Sequence, residues 1–129
     1  MATIRCVVVT PEKTELDVQA DSLTVPLFDG EVGILPGRAP MVARLGFGIM
    51  RVKKGSTETS HYVDGGFVQV RREAVYVLTD RMMKPESIDK AKAATDLEKA
   101  LAMISSSPET FALKDRAVSQ ARAKVRLGA

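Results

Sequence analysis

The residues able to do chemistry are dispersed along the sequence and do not recur at spacings typical of a catalytic site. The single histidine, His61, lies in a strand-like stretch far from the single cysteine, Cys6. A lone histidine is more often structural than catalytic, and a cysteine in a β-branched run is typically a small buried hydrophobe. No zinc-type spacing is present, so we predict neither catalytic nor metal-binding residues. Four acids in the turn-rich N-terminal part are interpreted as a solvated rim: Asp17, Asp21, Asp29 and Glu31.

Two glycine-containing stretches share letters with phosphate-binding loops but lack the required context. Gly46-Phe47-Gly48 begins like a dinucleotide-binding fingerprint, yet Arg51 follows where that fingerprint needs glycine, and no strand-to-helix transition is indicated there. Lys54-Gly55-Ser56 has P-loop residues in the wrong order and no glycine-rich lead-in. We therefore predict that the chain is not an enzyme by itself.

The last helical stretch carries more cations than acids. Arg122 and Arg126 are four residues apart, so both guanidinium groups can converge on one anion. One interpretation is a solvated face with cations stabilising a helix C-terminus. The other is an arm that meets acidic protein or phosphate. The cations that follow Phe111 are Lys114, Arg116, Arg122, Lys124 and Arg126.

The segment from Gly30 to Pro40 combines three glycines and two prolines with an apolar centre. Glycine permits positive φ and close backbone approach, whereas proline fixes φ and removes a donor. The segment is therefore predicted to be a stiff, shaped turn between strands. It serves either as a corner of an all-β domain or as a docking surface, because a rigid loop loses little entropy on binding.

Composition is that of a soluble chain of 129 residues, 45% apolar, with a net charge of +3 and a pI near 9.2. This length allows one ordinary domain, or a smaller one with an appendage. We expect no disulfide, membrane span or signal peptide, and hence a reducing cytoplasm. With few aromatic residues for stacking, the partner is expected to be protein and not nucleic acid.

The elements predicted around these features fall into two parts. Residues 3–79 show about nine short runs of strand type, joined by connections short enough for antiparallel pairing. Hairpin turns are predicted at Lys54-Gly55-Ser56 and at Asp64-Gly65-Gly66. The fold class is α+β: an antiparallel β-sandwich of about 9–10 strands over residues 1–84, then two antiparallel helices over residues 85–129.

The predicted helical hairpin begins with Ser87 as its candidate N-cap. A break at residues 105–108 separates the two helices, and a short turn between helices favours an antiparallel hairpin. Alanine-rich faces bury little apolar area, so the hairpin should detach at lower cost than the β-domain unfolds. The predicted apolar faces comprise Ala94, Leu97, Leu101 and Ile104 in the first helix and Phe111, Val118 and Val125 in the second.

Taken over its whole length, the chain resembles the epsilon subunit of bacterial F-type ATP synthase. Gly30 to Pro40 is similar to the family turn Gly-Glu-x-Gly-Ile-x-Pro-Gly-His-Ala-Pro, with Arg38 in place of histidine. Gly65-Gly66, Val75–Asp80, Ile88-Asp89 and the break after Ile104 also follow the family layout. The resemblance implies a β-sandwich followed by a helical hairpin.

The resemblance also implies a non-catalytic rotor subunit of the central stalk, coupling proton translocation through the c-ring to ATP synthesis. Its partners would be the gamma subunit and the c-ring, at the cytoplasmic face of the bacterial cell membrane as a peripheral component. Glu31 would face the ring and Arg38 would lie toward gamma. The implied interface residues are Glu31, Gly33, Ile34, Leu35, Pro36, Arg38 and Pro40.

For the hairpin, the resemblance implies regulation. Extended, its basic helix would contact the alpha/beta catalytic head through Lys114, Arg116, Arg122 and Arg126 and impede ATP hydrolysis. Folded, the hairpin of some family members binds ATP through Ile-Asp-x-x-Arg-Ala, here Ile88 to Ala93 with Lys92 at the arginine position. Lysine offers charge without a planar fork, so ATP binding is expected to be weak or absent, and no cofactor is required. The implied ATP site comprises Ile88, Asp89, Lys92, Arg122 and Arg126.

Two other classes of function stay open from the residues alone. A free-standing β-sandwich that binds a ligand or protein would need a pocket lined by aromatic residues, and the sequence has no tryptophan. A small enzyme would need converging titratable groups, which the spacings do not indicate.

Overall fold

Eight β-strands and two α-helices form the computed structural model, which describes residues 3–127. A single 3₁₀ turn at Pro85–Ser87 joins the strands to the helices. The helices are α1 (Lys90–Leu101) and α2 (Pro108–Leu127). The strands are β1 (Ile4–Val9), β2 (Thr14–Ala20), β3 (Ser22–Leu27), β4 (Gly30–Ile34), β5 (Met41–Lys54), β6 (Thr57–Val70), β7 (Ala74–Leu78) and β8 (Met82–Met83).

The strands follow the order β2-β1-β7-β6-β5-β3-β4, and β8 pairs with β6. Strands β5 and β6 form a long hairpin that turns at Gly55, where φ is 62°. The predicted hairpin at residues 54–56 is therefore confirmed. Strands β1 and β7 are parallel, with Val7 opposite Tyr76, so the prediction of exclusively antiparallel pairing is wrong for this pair. The segment that joins β1 to β7 spans most of the domain, so it is long enough to let the two strands run in the same direction.

The prediction of about nine strands is wrong in detail, since glycines that separate short strand-like runs in the sequence, including the predicted turn at residues 64–66, lie inside two long strands. Residues 46 and 48 belong to β5, and residues 65 and 66 belong to β6. Gly66 has a φ of 114°, and a Cβ there would collide with the carbonyl oxygen of Leu78. A Cβ at Gly46 would lie 2.6 Å from the oxygen of Leu27. These glycines let long strands bend and pack closely without ending.

The buried core of the sandwich is almost entirely aliphatic. Its side chains come from β1 to β7, with Ala20 from β2 and Ile34 from β4, and alternate with exposed positions along the strands. Leu16 and Val18 of β2 pack against this core from its edge. The buried members include Ile4, Cys6, Val8, Leu23, Val25, Ile34, Leu45, Met50, Val63, Val68, Val75 and Val77.

The two helices are capped by residues at their N-termini. Asp89 is the N-cap of α1, accepting a hydrogen bond from the Lys92 amide at 3.1 Å, so the prediction of Ser87 as N-cap is wrong. Ser87 instead closes the 3₁₀ turn, which delays the helix by two residues. Before α2, the Ser107 hydroxyl accepts from the amide of Thr110 at 3.2 Å. The predicted break between the helices is thereby confirmed.

The hairpin packs through alanines, and α2 lies against β5 and β6. Ala93 and Ala100 are the buried residues of α1, whereas Leu101 is 50% and Ile104 82% exposed. The prediction that Leu101 and Ile104 belong to the buried face of the first helix is thus wrong. The alanine positions face the second helix instead, because their small side chains let the two helices pack closely. In α2 the buried residues are Ala121 and Ala123, while Phe111 is exposed.

Candidate functional site

The turn after β4 has the geometry that its proline and glycine require. The Arg38 amide donates to the Leu35 carbonyl at 3.2 Å, and Gly37 has a φ of 87°. Proline at the second position and glycine with positive φ at the third are the signature of a type II turn. Residues 30–34 form β4, so the predicted stiff segment is half strand and half turn.

The Glu31 carboxylate lies at the surface and is engaged by a neighbouring cation. Arg51 donates to its Oε1 from Nη2 at 3.0 Å, across the intervening strand β3. The Glu31 side chain remains about half exposed, at 52%. The ion pair orients the carboxylate, while its second oxygen has no hydrogen-bond partner among residues 3–127.

The other predicted interface residues of this segment have different surroundings. The Arg38 Nη1 donates to the Gly33 carbonyl at 3.3 Å, which folds the guanidinium back on β4. Leu35 is 64% exposed, and Pro40 is also exposed, whereas Pro36 is half-buried. Ile34 is fully buried in the core, so its side chain supports the segment and offers no surface in this conformation.

A row of exposed apolar side chains crosses the outer face of the sandwich. Phe67 of β6 lies opposite Leu78 of β7, and their exposures are 58% and 49%. Arg44 of β5 lies opposite Phe67 on the other side, and its Cζ stands 4.1 Å from the ring centroid of Phe28. Val42, two residues before Arg44 on the same face, is 68% exposed.

This outer row was not among the predicted site residues. The signal available in the sequence was the alternation around Phe67, because Val68 and Val70 share the face opposite to it. A strand with a valine face toward the core places phenylalanine outward. The row therefore follows from the strand period, although its neighbours depend on register.

One carboxylate of the sandwich anchors α2. The Gln120 Nε2 donates to Asp64 Oδ1 at 2.7 Å, and the Tyr62 hydroxyl donates to the same oxygen at 2.8 Å. Tyr62 is fully buried, and burial together with this hydrogen bond raises the pKa of its hydroxyl. The Lys124 Nζ lies 5.1 Å from the centroid of the Tyr62 ring.

The predicted head-contacting cations of α2 do not share one surface. The Arg116 Cζ lies 5.1 Å from the ring centroid of Phe47, so this side chain faces the sandwich. Lys114 is half-buried, whereas Arg122 and Arg126 are exposed. In the folded hairpin, Arg116, Arg122 and Arg126 are all exposed, and Arg116 differs from the other two in lying over the Phe47 ring.

The predicted ATP-binding residues already have structural roles in part. Ile88 is buried with Tyr62 and Ala123, and Asp89 caps α1 at the Lys92 amide. The Lys92 side chain is exposed, as are Arg122 and Arg126. Between residues 3 and 127, no hydrogen bond or ion pair joins the start of α1 to these arginines. Nucleotide binding at this site stays a prediction.

The single histidine and single cysteine lie inside the sandwich. Cys6 is fully buried, and burial raises the pKa of its thiol to about 12. His61 is 7% exposed, and burial together with Lys84 lowers its pKa, while Glu86 opposes the shift. The described residues contain no group of three or more ligating side chains suited to a metal ion. Within 3–127, no helix is both long enough and apolar enough to cross a membrane.

The sandwich belongs to a class found in ATP synthases. The family model described as ATP synthase, Delta/Epsilon chain, beta-sandwich domain matches residues 3–85. An epsilon chain of ATP synthase from Rhodopirellula baltica is 49% identical over 124 residues, covering 96% of this chain and 97% of the relative. A sodium-ion-specific epsilon chain from Propionigenium modestum is 30% identical, covering 98% and 94%.

A solved structure also resembles the complete fold. It is a chain in the Euglena gracilis mitochondrial ATP synthase assembly of OSCP, F1 and c-ring, with a TM-score of 0.84 and 25% identity. The alignment covers 95% of this chain and 79% of the solved one. The chain belongs to the ATP synthase epsilon chain family. The family suggested by the sequence is therefore confirmed, as is the predicted fold of a β-sandwich followed by two helices.

Proposed function

We propose that this chain is a non-catalytic subunit of the central rotor stalk, which couples proton translocation through the c-ring to ATP synthesis. The observation that carries the proposal is the exposed apolar row on the outer face of the sandwich. Contiguous apolar surface of this kind marks an interaction site. A subunit that transmits torque needs such a face to hold a rotor partner.

The gamma subunit is the proposed partner of this row. Phe67, Leu78 and Val42 supply apolar contact area, and Phe28 adds an aromatic ring covered by the Arg44 guanidinium. Aromatic and arginine side chains are enriched among residues that dominate binding energy. The row lies on the rigid β5–β6–β7 part of the sheet, so little entropy is lost when it docks.

The c-ring is the proposed partner of the segment that ends β4. Its type II turn is rigid, Leu35 projects outward, and Glu31 presents a carboxylate oriented by Arg51. An oriented acid can pair with a cation or a polar loop of the ring. Arg38 is turned back onto Gly33, which assigns it the role of stiffening the turn that presents these groups.

The hairpin of residues 85–129 is proposed to regulate ATP hydrolysis as a separate domain from the sandwich of residues 1–84. Folded, it is held by the Gln120–Asp64 hydrogen bond and by alanine packing that buries little area. Released, it would free Arg116 from the Phe47 ring and present it, together with Arg122 and Arg126, to acidic surface of the alpha/beta head. ATP would act as a weak regulatory ligand at most, given Lys92.

The proposed location is the cytoplasmic face of the bacterial cell membrane, as a peripheral component held by the rotor. The assembly that contains the similar solved chain includes F1 and the c-ring, which supports this arrangement. In this position the chain needs no membrane-spanning element of its own.

Recovery of partners from membranes tests the proposal. Tagged full-length chain is expected to recover gamma and c-ring, and Phe67→Asp is expected to lower recovery of gamma by about tenfold or more. Leu101→Asp is the matched control, since Leu101 is also about half exposed, at 50%, but lies on α1. Recovery of neither partner by the unaltered chain would contradict the rotor assignment and favour a free-standing β-sandwich module.

A further inference from the structure

A groove with a volume of about 1000 Å³ lies beside the sandwich, apart from the outer apolar row. Its floor is formed by side chains of β2 and β5, its long side by the first half of β6, and its end by residues 84–86 and Leu127. None of the residues proposed to contact gamma or the ring lines it. The groove is therefore a separate feature of the surface.

The long side of the groove is the edge of a strand. Five consecutive residues of β6, from Thr57 to His61, line it. Because successive side chains of a strand point to opposite faces, consecutive lining residues indicate that the groove borders the strand's edge. On that side β6 pairs with β8 only at Tyr62 and Val63, and with β7 from Phe67 onward. Among the described residues, the outer edge of 57–61 has no strand partner.

Pro85 explains why this edge is open. Strand β8 ends at Met83, and Pro85 begins the 3₁₀ turn two residues later. Proline lacks an amide hydrogen and cannot continue a ladder, so the chain turns away before it covers the rest of β6. The groove occupies the space in which β8 would otherwise have continued.

The remaining walls combine apolar surface with charges of both signs. Leu16, Val18 and Val52 form the floor. The rim carries two cations and two acids, a mixture that disfavours a polyanion such as nucleic acid or an anionic lipid surface. These ionisable side chains are Lys54, Glu58, Lys84 and Glu86.

One residue that lines the groove carries an unsatisfied polar atom. The Nδ1 of His61 is buried without a hydrogen-bond partner in the described part of the chain. Buried polar atoms are nearly always hydrogen-bonded, so this nitrogen retains the capacity for one hydrogen bond beside the free edge of β6.

We propose that the groove binds an extended peptide segment of a partner protein, which adds a strand to the outer edge of residues 57–61. Main-chain hydrogen bonds to the free edge would supply affinity, as in other cases of strand addition. Alternate apolar side chains of the peptide would face Leu16, Val18 and Val52. The intervening positions would carry charges of both signs that complement Lys84 and the neighbouring acids.

The test uses the isolated full-length chain and a six-residue probe peptide, Lys-Val-Glu-Val-Thr-Val, blocked at both ends. Saturating peptide is expected to shift the amide signals of residues 57–61 in NMR spectra and to slow hydrogen exchange of the outward-facing amides there by about tenfold. The same peptide methylated at every internal amide should have neither effect, because it cannot pair with the edge.

Charge reversal at the rim separates this groove from other surfaces. Lys84→Glu is expected to weaken binding by about threefold, whereas Lys99→Glu, at an exposed position on α1, should leave it unchanged. Absence of any effect on residues 57–61 at millimolar peptide would overturn the proposal, as would equal binding of the methylated peptide. Protection of 57–61 without peptide, accompanied by a dimer in sedimentation, would replace it with pairing between two copies of the chain.

Discussion

The Gln120 side-chain amide of α2 donates a hydrogen bond to the carboxylate of Asp64 on β6 at 2.7 Å. Among residues 3–127, this is the one hydrogen bond that joins a side chain of the second helix directly to the sandwich. The same carboxylate oxygen also accepts from the Tyr62 hydroxyl beneath the helix. This carboxylate therefore links the buried core of the sandwich to the hairpin.

Gln120→Ala should loosen the hairpin without unfolding the sandwich. A hydrogen bond to a charged acceptor contributes about 1.5–3 kcal/mol, and the alanine packing around it compensates little. We expect proteolysis within residues 102–107 to accelerate, while strand amides keep their exchange protection. Ser119→Ala is the control, at the preceding position. Equal cleavage rates for both variants would mean that packing alone holds the helix.

Gly66→Ala should be strongly destabilising. Its φ of 114° disfavours any side chain, and the added Cβ would collide with the Leu78 carbonyl. We expect the free energy of unfolding to fall by about 3 kcal/mol or more. Gly33→Ala is the control, because its Cβ would meet open space without positive φ. Urea denaturation measures the stability of both variants. A similar midpoint for the two would refute the role of Gly66 in the close approach of β6 to the Leu78 carbonyl.

The free energy of unfolding should decrease as the pH falls below 6.5, the ordinary pKa of a histidine side chain. Burial and Lys84 lower the pKa of His61 in the folded chain, so the unfolded chain binds a proton first as the pH falls. Since the state that binds more protons is favoured, the free energy of unfolding decreases from pH 6.5 downward until the folded pKa is reached. His61→Phe should flatten the decline in urea denaturation between pH 7.5 and pH 5.5. An unchanged slope would show that the lost stability comes from other groups.

Glu31→Gln should separate stability from coupling. The Glu31–Arg51 pair is a surface ion pair, so its loss should change the free energy of unfolding by less than about 1 kcal/mol. If the carboxylate contacts the ring, ATP-driven proton pumping by membranes reconstituted with the variant should fall more than ATP hydrolysis does. Glu12→Gln, in the exposed turn between β1 and β2, is the control. Identical pumping by all three proteins would contradict a ring contact at Glu31.

Tight turns are the part of this fold that the sequence predicts well. Pro36 and Gly37 require a type II turn, and Gly55 requires the hairpin turn, because each constraint acts within four residues. The glycines inside β5 and β6 suggest strand ends in the sequence. Two of them are needed because a backbone carbonyl from another strand lies too close for a Cβ, and the sequence does not reveal that neighbour. Gly66 is explained only by Leu78, which lies twelve residues further along the chain.

Long-range features of the candidate site were less accessible. The parallel pairing of β1 with β7 and the row of Phe67, Leu78 and Val42 depend on register between distant strands. Asp64 and Gln120 meet across 56 residues of sequence, and no periodicity indicates that pairing. The contact of the Arg116 guanidinium with the Phe47 ring likewise joins two distant segments, and no periodicity indicates it.

The buried state of Cys6 gives this protein a practical use as a spectroscopic reporter. A thiol that is fully buried, with a pKa of about 12, is nearly unreactive toward maleimide at neutral pH. A cysteine introduced at the exposed Phe111 position would then be the single thiol available for a dye. Labelled in that way, the otherwise unaltered chain could report the angle of its hairpin during rotation.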